Sequence, residues 1–176
     1  MTKSVRARHE VGMRFQIKTG SGHSLAIDDA EGDSAPRPAE LLLAAQAGCT
    51  ALDVASILAK KRQSFASDEV SVTGEQREDR HPHVYERIDN VHGFEGAELD
   101  VAAVRRAIEL SATRYCTASA MFSAGPAEIH HRYRVSRGDG RPDESGEVVV
   151  TGPGEDPDAL GERWRAAAGI PVGVAR

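Results

Sequence analysis

The chain has 176 residues, a net charge of -5 and a mean hydropathy of -0.42. That length fits one domain with at most an appendage, and it is enough to bury a respectable core. Charges of mixed sign with an acidic balance offer no basic footprint for nucleic acid.

The N-terminal residues MTKSVRARHEVG carry charge but are followed by no apolar run, so they do not read as a signal peptide. The expectation is a reducing cytoplasm, where two cysteines are either inert core thiols or a redox pair. Aromatic residues make up only 5% of the chain, so the core must be built mainly from Ala, Val, Leu and Ile.

Residues 3–28 read as strands. Val5 to Arg8 is short, and Met13, Phe15 and Ile17 then alternate with Arg14, Gln16 and Lys18, a period of two. Gly20-Ser21-Gly22 signals a turn, and His23 to Ile27 resumes an extended run, together an antiparallel hairpin. Asp28 to Arg37 is loop, and Pro38 stands where proline is tolerated, in the first turn of a helix.

That helix, Pro38 to Lys61, is the stretch around which the chain is organised. From Leu41 to Ala59 it is apolar on almost every face, broken only by small or short polar residues such as Gln46, Thr50, Asp53 and Ser56. At about 1.5 Å per residue it spans roughly 35 Å. A helix apolar all round is normally a buried one, and this one is too interrupted by polar groups to read as a membrane span. A central, sequestered helix with Cys49 midway along it is therefore expected.

Val70 to Glu75 and Tyr85 to Val91 read as two strands paired across a charged turn that Pro82 breaks. Asp100 to Cys116 reads as an amphipathic helix, with Val101, Val104, Ile108, Ala112 and Tyr115 on one stripe and Cys116 at its edge. A short helical turn over Ala118 to Phe122 and a last strand, Ala127 to Val135, follow. Residues 136–147 look like a linker, Val148 to Thr151 a possible strand, and Asp156 to Ala168 a short helix holding the only tryptophan, Trp164. The division expected is a domain over 1–135 and an extension over 136–176.

Each long helix thus carries one cysteine, 67 positions apart. A thiolate attacks peroxides to give a sulfenic acid, and a second thiol nearby condenses with it to a disulfide. The competing reading is two ordinary buried small residues, since free cysteine is among the most buried residue types. Asp53 lies four residues after Cys49 and shares its helix face, where a carboxylate disfavours the thiolate unless a cation intervenes. His81 and His83 flank Pro82, and His130 and His131 are adjacent on a strand and so point to opposite faces. No Cys-x-x-Cys or His-x-x-x-His spacing supports zinc, so no metal and no cofactor are expected, and these histidines read as surface residues.

The run Gly32 to Ala45 (GDSAPRPAELLLAA), continuing to Ala47-Gly48-Cys49-Thr50, resembles the OsmC/Ohr family, as do Arg105 to Ser111 and Arg114-Tyr115-Cys116. Asp53-Val54-Ala55-Ser56-Ile57-Leu58 is similar to the corresponding helix of the family's bacterial OsmC-like branch. The likeness covers about 5–135. It implies an α+β fold in which antiparallel sheets from two chains wrap long central helices as an intertwined homodimer, with active sites at the interface. It also implies reduction of organic hydroperoxides, with Cys49 peroxidatic, Cys116 resolving, and electrons from small or protein-bound dithiols.

Two further residues matter in the family. An arginine near the N-terminal strand turn stabilises the thiolate, and Arg14 falls at that place, with a solvated strand residue as the plain alternative. A glutamate directly follows the proline, ten residues before the cysteine; here that position is Ala39, and Glu40 comes one residue later. At about 100° per residue, nine residues put Glu40 on the far side of a continuous helix from Cys49. Charge stabilisation of the helix N-terminus is its other reading.

The sequence therefore supports a cytoplasmic thiol-dependent hydroperoxide reductase with catalytic residues Cys49, Cys116, Arg14 and Glu40. Its partners would be a second copy, a peroxide and a dithiol, with no nucleic acid and no membrane. The alternative is a non-catalytic dimeric protein that binds a small ligand or senses redox state on the same fold.

Overall fold

A computed structural model describes residues 1–152, so the helix expected around Trp164 lies outside the described residues. The chain forms two compact units, Met1–Ala44 and the remainder from Ala45 onward.

The first unit is an antiparallel sheet of β1 (Val5–Val11), β2 (Arg14–Thr19) and β3 (Ser24–Ile27), in that order. β1 is longer than its apolar pattern suggested, because it pairs with β2 across a tight turn at Gly12-Met13. Gly12 adopts φ +58°, which suits a residue without Cβ. Every residue of β1 is exposed. In the loop that follows, the Asp28 carboxylate accepts from the Ser34 hydroxyl (2.5 Å) and the Asp29 N–H (2.9 Å). These bonds hold the Asp28 carboxyl below its ordinary range.

The helix α1 (Pro38–Lys60) starts at the expected proline. Glu40 reaches back to accept from the Arg37 backbone N–H at 2.7 Å, closing a capping arrangement around the first turn.

The second unit holds a sheet of β4 (Ser67–Gln76), β5 (Tyr85–Glu95), β6 (Glu128–Ser136) and β7 (Glu144–Thr151), in that order. Its pairings are antiparallel, parallel and antiparallel. The possible strand at 148–151 is thus a full sheet member, and the sheet continues past residue 135. Arg137 ties the intervening loop down by donating to the Leu99 carbonyl (2.7 Å) and to Glu144 (2.7 Å).

The parallel β5–β6 pair needs a crossover, supplied by α2 (Val101–Leu110), a π-helical turn (Ser111–Tyr115) and α3 (Thr117–Ser123). Asp100 caps α2 by accepting from the Ala102 N–H at 2.9 Å. Ala103, Val104, Ala107 and Ile108 are its buried face. The single helix expected over 100–116 is therefore interrupted. The wider π turn rotates the stripe, so Ala112 stays buried while Tyr115 turns out to 51% exposure.

Alternate residues of β5 and β6 form the inner face. Ile88, Asn90, His92 and Phe94 are buried, as are Ile129, His131, Tyr133 and Val135. The expectation of surface histidines holds for His81 and His83, but His131 is fully buried. It sits on the face opposite its neighbour, with Nε2 3.3 Å from Thr151 Oγ1.

The expectation of a sequestered α1 requires correction within one chain. Only Gln46, Thr50, Val54 and Leu58 are buried, every fourth residue, while Leu52 is 75% exposed. α1 is the one helix among the described residues long and apolar enough, by length and composition, to cross a membrane. Yet half of its buried stripe is polar. Gln46 Nε2 donates to Asn90 Oδ1 (3.0 Å) and Ser119 Oγ (2.8 Å), and Thr50 Oγ1 lies 3.1 Å from His92 Nε2. Four helical residues rise about 6 Å and two strand residues about 6.7 Å, so the two rows run in step. Further along, Val54 and Leu58 join Phe94, Val104, Ile108 and Val135 in the apolar core.

Burial, with the charges of His92 and His130 nearby, lowers the His131 pKa from 6.5 to about 4. The unfolded chain binds this proton more readily, so the contribution is fully present above pH 6.5 and is lost as pH falls toward 4. The stake is on the order of 3 kcal/mol. His130, raised chiefly by its bond to Glu147, acts in the opposite sense, losing its contribution as pH rises through its raised value. Urea midpoints measured between pH 7 and pH 4 are expected to fall less steeply in His131→Asn than in the parent chain, which isolates the buried ring.

Candidate active site

Cys49 lies on α1 and is half-buried, and Asp53 follows one turn later on the same face. Cys116 comes to them from the crossover. In the π turn its N–H donates to the Ser111 carbonyl five residues back, at 2.9 Å. The backbone then turns extended (φ -70°, ψ 106°), so that Cys116 becomes the cap of α3 rather than a member of the preceding helix. Its Sγ accepts from the Ser119 N–H at 3.3 Å. Cys49 Sγ, Cys116 Sγ and a carboxylate oxygen of Asp53 all lie within 4.8 Å of one another.

Burial disfavours the charged forms of Cys116 and Asp53. Cys116 is 2% exposed, and burial pushes its thiol up to about 12; the Ser119 N–H pulls the other way and the neighbouring Cys49 adds to the rise. Desolvation outweighs the hydrogen bond, so this thiol keeps its proton at neutral pH. Burial likewise raises the Asp53 carboxyl, opposed by the Ser111 hydroxyl, which donates to Oδ2 at 3.1 Å. The sequence placed Asp53 beside Cys49 as a fixed negative charge; desolvation weakens that charge.

Behind Asp53 runs a line of polar groups that sequence reading missed. Ser111 Oγ is 3.2 Å from Thr50 Oγ1, Thr50 Oγ1 is 3.1 Å from His92 Nε2, and His92 Nδ1 faces Asp68 Oδ1 at 3.7 Å. Its one sequence signal was Gln46 and Thr50 at i and i+4 on an otherwise apolar helix. Ser111 and His92 carried none, since their strands and turns bring them in from afar.

Arg14 and Glu40 belong to the first unit and have partners there. Arg14 donates to Glu10 (3.0 Å) and to the Ser34 hydroxyl (2.6 Å), and Glu40 pairs with Arg37 at 3.6 Å. The structure thus gathers Cys49, Cys116 and Asp53 in the second unit.

A mixed α+β fold with two cysteines brought together by a helix and a crossover defines the class. A family model described as OsmC-like protein matches residues 31–139. Protein YhfA of Escherichia coli K12 is 40% identical over 124 residues, spanning 70% of this chain and 91% of that protein. The crystal structure of a hypothetical protein from Aquifex aeolicus VF5 is 28% identical with TM-score 0.68, covering 77% of this chain and 97% of its own. An organic hydroperoxide resistance protein from Elizabethkingia anophelis shares the fold at 15% identity and TM-score 0.56, over 77% of this chain and 96% of its own. The chain belongs to the OsmC-like protein family.

The sulfur separation predicts that mild oxidation with diamide closes a Cys49–Cys116 disulfide within one chain. Non-reducing electrophoresis should show a faster monomer band, and intact mass should fall by two hydrogens. A ladder of covalent dimers would contradict this.

Proposed function

We propose that the protein is a thiol-dependent hydroperoxide reductase acting on organic hydroperoxides, with Cys49 peroxidatic and Cys116 resolving. The carrying observation is that a half-buried thiol and a buried thiol share a 4.8 Å cluster with a carboxyl group. The name borne by the Elizabethkingia protein of the same fold supports this choice of substrate.

The Cys49 thiolate attacks the distal peroxide oxygen; the S–O bond forms, the O–O bond breaks, and the alkoxide leaves as alcohol with a proton. Cys116 Sγ then attacks Cys49 Sγ and displaces hydroxide. Its raised pKa means that it must shed a proton as it attacks, and Asp53 is the group within reach to take that proton and pass it to the departing hydroxide. The products are a disulfide and water. An external dithiol of a reducing compartment, the cytoplasm in this reading, resets the pair. Arg14 and Glu40 remain candidates for assisting Cys49 by resemblance alone.

A second reading, a redox sensor or ligand-binding protein, is favoured by the same burial of Cys116, which slows resolution. Reduced protein mixed with equimolar cumene hydroperoxide separates the two. Loss of two thiols per chain within seconds, abolished by Cys49→Ser, is expected, while Cys116→Ser should accumulate a sulfenic acid trapped by dimedone. Thiols surviving for hours would favour the sensor.

The assembly proposed is a homodimer. α1 buries Gln46, Thr50, Val54 and Leu58 against its own sheet yet still leaves the large apolar Leu52 outward, and a second copy is the natural cover. Each leucine buried this way contributes about 1.5–3 kcal/mol. Light scattering should give twice the chain mass for the parent and a shift toward monomer for Leu52→Asp; an unshifted monomer in both would refute the dimer.

A further inference from the structure

We propose that the reduced protein binds one thiophilic divalent cation, of the zinc or cadmium class, through Cys49 Sγ, Cys116 Sγ and Asp53, and that this occupancy and the disulfide exclude one another. The inference concerns the reduced pair alone and holds whether or not the protein turns over peroxide.

The geometry suits such an ion. Zinc takes thiolate sulfur at about 2.3 Å and carboxylate oxygen at about 2.0–2.2 Å, which sets tetrahedral donor–donor edges of roughly 3.5–3.8 Å. The three donor atoms already lie within 4.8 Å of one another, so side-chain torsions can close the remainder without moving an element. Cys49 and Asp53, at i and i+4 on one helix, form a preset pair of donors. Cys116 supplies the third from the end of the π turn.

Two outer hydrogen bonds orient these donors as metal sites require. The Ser111 hydroxyl donates to Asp53 Oδ2 at 3.1 Å, and the Ser119 N–H donates to Cys116 Sγ at 3.3 Å. The first restrains the carboxylate while leaving it lone pairs for an ion; the second is the amide-to-sulfur bond that stabilises a thiolate. Cys116 is closed to solvent and Cys49 is half-buried, so an ion would enter from the Cys49 side. Two sulfur donors select a soft or borderline cation over magnesium or calcium. Motif reading could not find the site, because its donors come from two elements 67 positions apart.

Charge and bonding make the exclusion strict. Two thiols bind M2+ with release of two protons, whereas diamide or a hydroperoxide converts the same sulfurs to a disulfide and is itself reduced by two electrons. A disulfide retains neither thiolate. Bound metal in turn withholds both sulfurs from the oxidant.

The test uses the full chain without a histidine tag, reduced under nitrogen. Zinc is titrated in competition with a chromophoric chelator, and cadmium is followed by its thiolate charge-transfer absorption near the protein ultraviolet edge. One ion per chain is expected, with the cadmium band present in the parent protein. Affinity should fall by about tenfold or more in Cys49→Ser, Cys116→Ser and Asp53→Asn. Excess magnesium should not compete, and diamide-treated protein should bind none. Far-ultraviolet circular dichroism confirms that each variant is folded, and the parent's cadmium band is a readout that no folding defect can mimic. Absence of that band, binding unchanged in either cysteine variant, or binding that survives oxidation would overturn the site. Binding unchanged in Asp53→Asn alone would overturn the role of the carboxylate. No peroxide enters the assay, so its failure would leave the reductase reading standing.

Discussion

The buried polar rungs between α1 and the sheet are the constraint on which the rest depends. Gln46 meets Asn90 and Ser119, and Thr50 meets His92, inside a face where an unpaired amide or hydroxyl costs about 1–3 kcal/mol. An apolar helix against an apolar sheet can slide or roll with little penalty. This helix cannot, because one residue of register turns it by about 100° and orphans every rung at once. The same register points Cys49 and Asp53 toward the crossover. Polar residues inside the helix thus fix its rotation, while apolar residues supply its adhesion.

The crossover solves the complementary problem. A regular helix from Asp100 through Cys116 would carry the cysteine on along the stripe set by Ala112. The π turn inserts one extra residue, and the extended backbone at Cys116 redirects its thiol while Ser119 holds the sulfur. Ser111, at the start of that turn, reaches both Asp53 and Thr50. One local irregularity therefore places the second thiol and connects the cluster to the rungs behind it.

Low solvent access then shapes the chemistry. Burial raises both the Cys116 thiol and the Asp53 carboxyl, so the cluster resists holding several negative charges at once. Ionising either of these two groups in place therefore calls for compensation from its surroundings.

Much was legible in the amino-acid order. The strand pairs, the proline that opens α1, the Cys49–Asp53 adjacency and the family resemblance all follow from local pattern, because periods of two and 3.6 are written residue by residue. Others were not. The full length and pairing of β7, of which only 148–151 showed as a possible strand, the inward turn of His131 and the outward turn of Tyr115 depend on which strand pairs with which, and on a helical irregularity that no period encodes. What the sequence by itself determined was a polar-edged apolar helix bearing one thiol, and a second thiol near the end of another helix. Only the tertiary structure decided that the two sulfurs meet beside a carboxyl, because contacts between elements 67 positions apart are set by sheet order and helix rotation.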